Sequence, residues 1–213
     1  KASKEVEEGI SKDVLLMLGE GLDKEGTMVL LAKAGFRESE TAYENLKLLK
    51  QGPPFAHLPI RAKMLLKKIA PFLLTRIMES PAPDMALNHL ERFISAIGAR
   101  TTFYSLLIEN KKVMELLVKL FGTSIFLSMA IIEHPENLDA LLSPELNKPF
   151  KKKEELAKEL STMLDVAMDY EASLDMIRRY RNSEILRIGI NDIFGELETS
   201  AVSKQITYLA DAC

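Results

Sequence analysis

The chain has 213 residues, of which 47% are hydrophobic, 28% charged and 7% aromatic, and it contains no Trp and one Cys. This composition excludes a collagen-like, disordered or disulfide-stapled protein, and the length allows one domain or two small lobes. The formal charge is only −3, so no overall charge draws the chain to nucleic acid or to an anionic membrane. No apolar run approaches the roughly 18 residues that cross a bilayer. The only thiol, Cys213, cannot form an internal disulfide, which fits a cytoplasmic protein.

Both ends of the sequence indicate a piece of a longer chain. The first residue is Lys1 and not Met, and the last residues still follow helical spacing at Ile206, Leu209 and Cys213. We therefore expect part of the whole protein's activity to lie in segments on either side.

Helical periodicity runs through almost the whole chain, and no alternating strand pattern stands out. The sequence predicts an all-α fold, an irregular bundle of about nine to eleven helices. Helices are expected over about 3–18 and 27–34, and from Ser39 to the Gly-Pro-Pro turn at Gly52. A further helix begins near Pro59, and Pro71 should kink or divide it because proline removes a backbone donor.

The segment Ser80–Asp84 is the clearest linker in the sequence, because it combines Ser, Pro and Asp. It predicts an N-terminal helical lobe over 1–80 and a second lobe over 84–213, with a single continuous domain as the alternative. The helix after the linker carries an apolar stripe at Leu87, Leu90, Phe93, Ile94 and Ile97.

Short helices follow the stripe. Ile108-Glu109-Asn110 reappears in similar form as Ile132-Glu133-His134, which indicates two similar hairpins without functional weight. We interpret the basic run Lys151–Lys153 as a solvated face that precedes a helix starting near Glu154. The remaining helices are expected over about 102–109, 112–121, 124–132, 135–142 and 174–195, with a last one from Ser200 or Ser203.

Residues that could carry chemistry are scarce. His57, His89 and His134 lack the spacing of metal ligands, and no glycine-rich phosphate cradle, Asp-x-Asp pair or Gly-x-Ser-x-Gly turn occurs. The nearest acidic pair, in Asp169-Tyr170-Glu171, lacks the upstream turn of a nucleotidyltransferase. We therefore assign no catalytic, cofactor-binding or metal-binding residue.

Arginines form the most distinctive polar feature, and two interpretations stay open. A salt-bridged ladder through Glu184 on one helix is favoured, and docking on a neighbouring domain or binding of a carboxylate or phosphate is the alternative. Arg100 poses the same choice, because it could hydrogen-bond helix-end carbonyls while Thr101 or Thr102 caps the next helix. The cluster consists of Arg178, Arg179, Arg181 and Arg187.

Several motifs occur in a specific order across about 52–213. In the first half these are Leu90-Glu91-Arg92-Phe93, the segment Gly98–Leu107, Glu109-Asn110 and the segment His134–Leu142. In the second half they are Ile177–Arg181, Leu186-Arg187-Ile188, Asp192-Ile193, Val202-Ser203 and Leu209–Ala212. Together they resemble the bacterial glutamine synthetase adenylyltransferase (glutamate-ammonia-ligase adenylyltransferase) family, in the central helical region that precedes its second nucleotidyltransferase domain.

The resemblance implies a parent enzyme with two nucleotidyltransferase domains, one removing the adenylyl group from glutamine synthetase and the other attaching it with ATP and magnesium. It also implies control by PII signal proteins and glutamine. The family's catalytic glycine-rich turn and paired aspartates have no counterpart in this chain. We carry over no catalytic residue, and the fragment itself is expected to be inactive and to hold no cofactor.

The favoured hypothesis is a non-catalytic regulatory and linker domain that orients the two flanking nucleotidyltransferase domains. A freestanding helical adaptor that binds a partner protein is the alternative, and continuation of the reading frame beyond Cys213 would discriminate between them. An independent enzyme is a distant third, since no base, nucleophile or ligand set stands out. The residues proposed for interdomain or regulatory contacts are Arg100, Thr101, Arg178, Arg179, Arg181 and Arg187.

Overall fold

The computed structural model describes residues 12–52 and 58–213, and these residues form α-helices and short 3-10 helices without any β-strand. The all-α prediction is confirmed. The first half of the helix predicted over 3–18, the prolines of the Gly-Pro-Pro turn and His57 lie outside the described residues. Contacts divide the chain into two compact units, the first ending at Pro135 and the second spanning Glu136–Cys213.

Short helices build the first unit. Most lie within a few residues of their predicted bounds, because glycines and polar caps mark their ends in the sequence. They are α1 (Lys12–Leu18), α2 (Lys24–Lys33), α3 (Ser39–Gln51), α4 (Ile60–Met78), α5 (Pro83–Ile97), α6 (Thr101–Glu109), α7 (Lys111–Phe121) and α8 (Ile125–Glu133).

The central helix of this unit is α4, which packs against α1, α3, α5, α6 and α7. It runs without interruption through Pro71, so the predicted division of the helix is wrong. The Thr75 hydroxyl donates to the Pro71 carbonyl at 2.8 Å. On this helix Met64 is 67% exposed, whereas Leu66 is buried.

The linker before α5 is shorter than predicted, because α5 already begins at Pro83. The Asp84 carboxylate accepts hydrogen bonds from the backbone amides of Arg37 and Glu38 at 2.9 and 3.1 Å. The apolar stripe of α5 is buried as predicted and packs against α3, α7 and α8. Helices from both sides of the linker therefore share the first unit, and the division into lobes 1–80 and 84–213 stays a prediction.

The two similar hairpins have matching junctions. Asn110 ends α6 with φ −126° and ψ 79°, and His134 ends α8 with φ −130° and ψ 73°. Ser124 caps α8 by accepting a hydrogen bond from the amide of Leu127 at 3.3 Å, as its position predicts.

The second unit contains three longer helices that pack pairwise around a small apolar core. Asp169 caps α11 by accepting from the amide of Ala172 at 2.8 Å, and Gly195, at φ 73°, follows its C-terminus. The helices are α9 (Leu138–Leu142), α10 (Lys153–Leu164), α11 (Tyr170–Ile193) and α12 (Thr199–Ala212), with 3-10 helices at Pro135–Asn137 and Pro144–Asn147. The buried core residues are Leu156, Leu160, Tyr180, Ile188, Leu197 and Leu209.

Candidate functional site

The segment 143–152, which we call the strap, connects α9 to α10 and brings a lysine into the second unit. Lys151 is only 2% exposed, so the prediction of a solvated face is wrong at this position. Its ammonium lies 3.1 Å from Glu145 Oε2, 2.8 Å from Glu159 Oε2 and 2.9 Å from Glu184 Oε1. A buried ammonium is tolerated when carboxylates replace its water.

The ion pairs shift the acidity of the groups around Lys151. Burial alone would lower the pKa of Lys151, but its hydrogen bonds to Glu159 and Glu184 outweigh burial and raise the pKa above its ordinary value. The ammonium groups of Lys151 and Lys148, 3.1 and 3.2 Å from oxygens of the Glu145 carboxylate, lower the pKa of Glu145. Lys151 is therefore fully charged at neutral pH.

Tyr180 joins the same cluster from α11. Its hydroxyl lies 2.9 Å from Glu159 Oε2 and 3.1 Å from the Leu156 carbonyl, both of which can accept its proton. Burial and the hydrogen bond to Glu159 raise the pKa of Tyr180, so the hydroxyl stays protonated and acts as a donor.

Arg187 is the second buried cation, with its side chain 3% exposed. Its Nε donates to Glu184 Oε2 at 2.8 Å, which confirms the predicted Glu184–Arg187 pair but places it inside the protein. Its Nη1 donates to the carbonyls of Lys148 and Pro149, both at 2.7 Å, and its Nη2 donates to Gln205 Oε1 at 2.7 Å. The guanidinium is thus used in holding the strap.

Two amide side chains form hydrogen bonds with the backbone of the strap. Gln205, fully buried on α12, accepts from the Lys151 amide at 3.0 Å and donates to the Lys151 carbonyl at 2.6 Å. Asn191 on α11 donates to the Leu146 carbonyl at 3.0 Å. Backbone groups at Leu146 and at Lys151 in the strap therefore have side-chain partners on α11 and α12.

The other arginines of α11 do not join this network. Arg178, Arg179 and Arg181 are exposed. Arg178 pairs with Asp175 at 3.1 Å, and Arg181 Nη2 lies 3.5 Å from Asn182 Oδ1. The predicted Arg181–Glu184 pair is wrong, because Glu184 binds Lys151 and Arg187.

Arg100 occupies the turn between α5 and α6. It donates to the carbonyls of Ile97 at 3.1 Å and Ala96 at 2.7 Å, and its guanidinium lies 4.9 Å from the centre of the Phe103 ring. The interpretation of Arg100 as a helix-end cap is confirmed. The N-cap of α6 is Arg100, which makes no side-chain cap hydrogen bond, and Thr101 is the first residue of the helix. The predicted threonine cap is therefore wrong.

A pocket of about 440 Å³ opens beside the Lys151 cluster. The ionisable groups of the Lys151 cluster that line this pocket bind one another, because the Lys151 ammonium lies between the carboxylates of Glu145, Glu159 and Glu184. Within residues 12–52 and 58–213, no group of three or more His, Cys, Asp or Glu could hold a metal ion. The lining residues are Ser143, Glu145, Lys151, Lys158, Glu159, Thr162, Met163, Tyr180, Ser183 and Glu184.

Two of the histidines lie at or next to helix ends. His89 is buried, and its Nδ1 lies 2.9 Å from the Phe121 carbonyl at the end of α7. His134 is the C-cap of α8, as its place at a helix boundary predicts.

The Lys151 network was missed from the sequence, although a signal was present. Gln205 lies between Val202 and Leu209 at helical spacing, and Glu184 follows Tyr180 by four residues on the inner face of α11. A polar residue at a core position of a helix needs a buried partner. The partner of Glu184 and Gln205 is Lys151, which lies in a loop, and helical periodicity cannot predict which loop residues are buried.

The described residues are helical, and the buried ionisable groups of the second unit bind one another. Within the described part of the chain, no helix is long and apolar enough to span a membrane. A family model described as Glutamate-ammonia ligase adenylyltransferase matches residues 114–213. This match and the relatives below show that the chain is similar to a part of that family's proteins, as the resemblance implied.

The relatives are named bifunctional glutamine synthetase adenylyltransferase/adenylyl-removing enzyme. The protein from Thioalkalivibrio sulfidiphilus is 30% identical over 208 residues, 96% of this chain and 21% of the relative. The protein from Pseudomonas aeruginosa is 32% identical over 196 residues, 91% of this chain and 20% of the relative. The protein from Nitrosococcus oceani is 27% identical over 190 residues, 88% of this chain and 20% of the relative. The chain spans about a fifth of the length of these relatives.

Proposed function

We propose that this chain is the non-catalytic central regulatory and linker segment of a bifunctional glutamine synthetase adenylyltransferase and deadenylylase. Its role is to orient the two nucleotidyltransferase domains of the whole protein in bacterial nitrogen regulation, in the cytoplasm. The observation that carries the proposal is the similarity to about a fifth of a bifunctional enzyme, combined with buried charges that bind one another.

The chemistry of the described side chains supports the non-catalytic part of the proposal. Adenylyl transfer with ATP and magnesium needs carboxylates that are open to the metal and a cradle for phosphates. Glu145, Glu159 and Glu184 converge on an ammonium instead, and Asp169 serves as a helix cap. In this proposal ATP and magnesium bind the flanking domains, and glutamine synthetase and the PII protein are partners of the whole protein.

The exposed arginines of α11 are the proposed contacts with a neighbouring domain or effector. Arg178, Arg179 and Arg181 present guanidinium groups to solvent, where planar donors suit carboxylate or phosphate. Arg187 contributes indirectly, by holding the strap. Arg100 and Thr101 occupy the α5–α6 turn of the first unit, where the Arg100 guanidinium already binds two carbonyls.

The orienting role is tested in the full-length family protein that carries this segment. The variant with both Arg178→Ala and Arg181→Ala should keep its melting temperature, since exposed substitutions change stability little, but should alter the response of adenylylation and deadenylylation to glutamine and PII protein. Arg61→Ala, an exposed arginine of α4, is the matched control and should leave both responses unchanged. An unaltered effector response in the double variant, with normal melting, would remove these arginines from the proposal.

A further inference from the structure

The strap differs from the rest of the second unit in what holds it. The helices pack through an apolar core, whereas side chains from α10, α11 and α12 hold the strap through hydrogen bonds and ion pairs. Glu159 of α10 binds the Lys151 ammonium, Arg187 of α11 binds two strap carbonyls, and Gln205 of α12 binds the Lys151 backbone.

We propose that the strap is a polar latch, a segment that releases from α10, α11 and α12 as one cooperative unit while the three helices stay folded. The inference rests on the second unit alone and does not depend on the proposed function. Local opening of this kind occurs where a segment contributes few buried apolar contacts. In the strap, Leu146 and Pro149 are half-buried and Phe150 is exposed.

The hydrogen bonds of the latch share their partners, and this sharing makes release cooperative. Gln205 Oε1 accepts from both the Lys151 amide and Arg187, and Arg187 also binds the carbonyls of Lys148 and Pro149. Loss of one hydrogen bond leaves its neighbour with an unpaired buried group. Release at Lys151 therefore favours release near Lys148.

The latch also fixes α12 against the strap. Gln205 binds both the amide and the carbonyl of Lys151, and Phe150 packs edge-on against Tyr208 with ring centres 6.3 Å apart. A shift of α12 along its axis by one residue would break both hydrogen bonds. The closed strap therefore fixes the register of α12.

Amide hydrogen exchange on the 213-residue chain tests the proposal residue by residue. The reporter amides are Leu146 and Lys148, which bond within the 3-10 turn, and Lys151. In Asn191→Leu, which removes the hydrogen bond to the Leu146 carbonyl, we expect exchange to accelerate about tenfold at all three reporters, including the distant Lys151. Helical amides at Leu160 should keep their rates.

A second variant probes the other end of the latch. Gln205→Met keeps the side-chain length but removes both bonds to Lys151, and it should accelerate exchange at Leu146 as well as at Lys151. Thr207→Ala, an exposed change on the same helix, is the control and should change none of the reporters.

Two results would overturn the latch. If Asn191→Leu accelerates only Leu146 and Lys148, the strap frays piece by piece and does not open as a unit. If it accelerates Leu160 as much as the strap reporters, the strap is part of the global unfolding unit. Should Gln205→Met fail to fold, Asn191→Leu decides between these outcomes.

Discussion

Replacement of Lys151 by methionine tests whether the buried ion cluster has the energy that its geometry indicates. Lys151→Met removes an ammonium that lies within 2.8 to 3.1 Å of three carboxylates, while the flexible methionine side chain keeps most of the packing. Removal of one partner from a buried ion pair costs about 3 to 5 kcal/mol, because the remaining charges lose their counter-ion. At a urea slope of about 1.5 kcal/mol per molar, a loss of about 3 kcal/mol lowers the unfolding midpoint by about 2 M.

Urea unfolding with a local probe measures this shift. A fluorophore attached to Cys213, the single and exposed thiol next to α12, reports on the second unit. Far-UV circular dichroism follows the helices of the whole chain. Lys158→Met is the matched control, since Lys158 lines the same pocket but is exposed, and its free energy of unfolding should stay within about 0.5 kcal/mol of that of the parent chain. A loss below about 1 kcal/mol for Lys151→Met would contradict a buried ion cluster, because exposed ion pairs contribute that little.

The remaining predictions concern both units. Leu90→Ala, at a position 1% exposed in the core, should cost about 2 to 5 kcal/mol in urea unfolding, and a loss under about 1 kcal/mol would mean that the site relaxes around the cavity. Gly52→Ala should destabilise the first unit by about 1 to 3 kcal/mol, because Gly52 has φ 84° and an added Cβ would lie against Leu58; an unchanged midpoint would contradict this. The lowered pKa of Glu145 means that its ion pairs stabilise the fold above the ordinary value of 4.5 and lose this effect as the pH falls through the lowered pKa. The urea midpoint of the second unit should therefore fall between pH 5 and about 3, and a midpoint that rises on acidification would contradict the sign. Burial raises the pKa of Tyr104 to about 12. Ultraviolet titration of the parent chain should therefore show one tyrosine that ionises near that value, and this ionisation should be missing in Tyr104→Phe. Ionisation of Tyr104 at an ordinary tyrosine pKa would contradict its burial.

The fold was largely predictable because helix signals are local. Ser39 opens α3, Ser124 caps α8 and Gly195 follows α11, as propensity and capping chemistry indicate. Pro71 does not divide α4, which was one of the two outcomes expected there, since α4 packs against five other helices and tertiary packing outweighs a lost backbone hydrogen bond.

The candidate site was less predictable because its partners are far apart in sequence. The Glu184–Arg187 pair lies on one helix and followed from spacing. Lys151 is 33 residues from Glu184 and 54 from Gln205, and a lysine in a basic run resembles any solvated lysine. Only the packing of the strap on three helices turns it into a buried counter-ion.

Adenylyl transfer by the purified chain is the most direct test of the central claim, that these helices carry out no transfer chemistry themselves. The 213-residue chain is incubated with glutamine synthetase, ATP and magnesium, and mass spectrometry counts adenylyl groups on the synthetase, with a full-length family protein as the positive control. We expect adenylylation by the full-length protein and none by the chain above a blank without it. Appreciable adenylylation by the chain alone would mean that these helices carry out the transfer themselves.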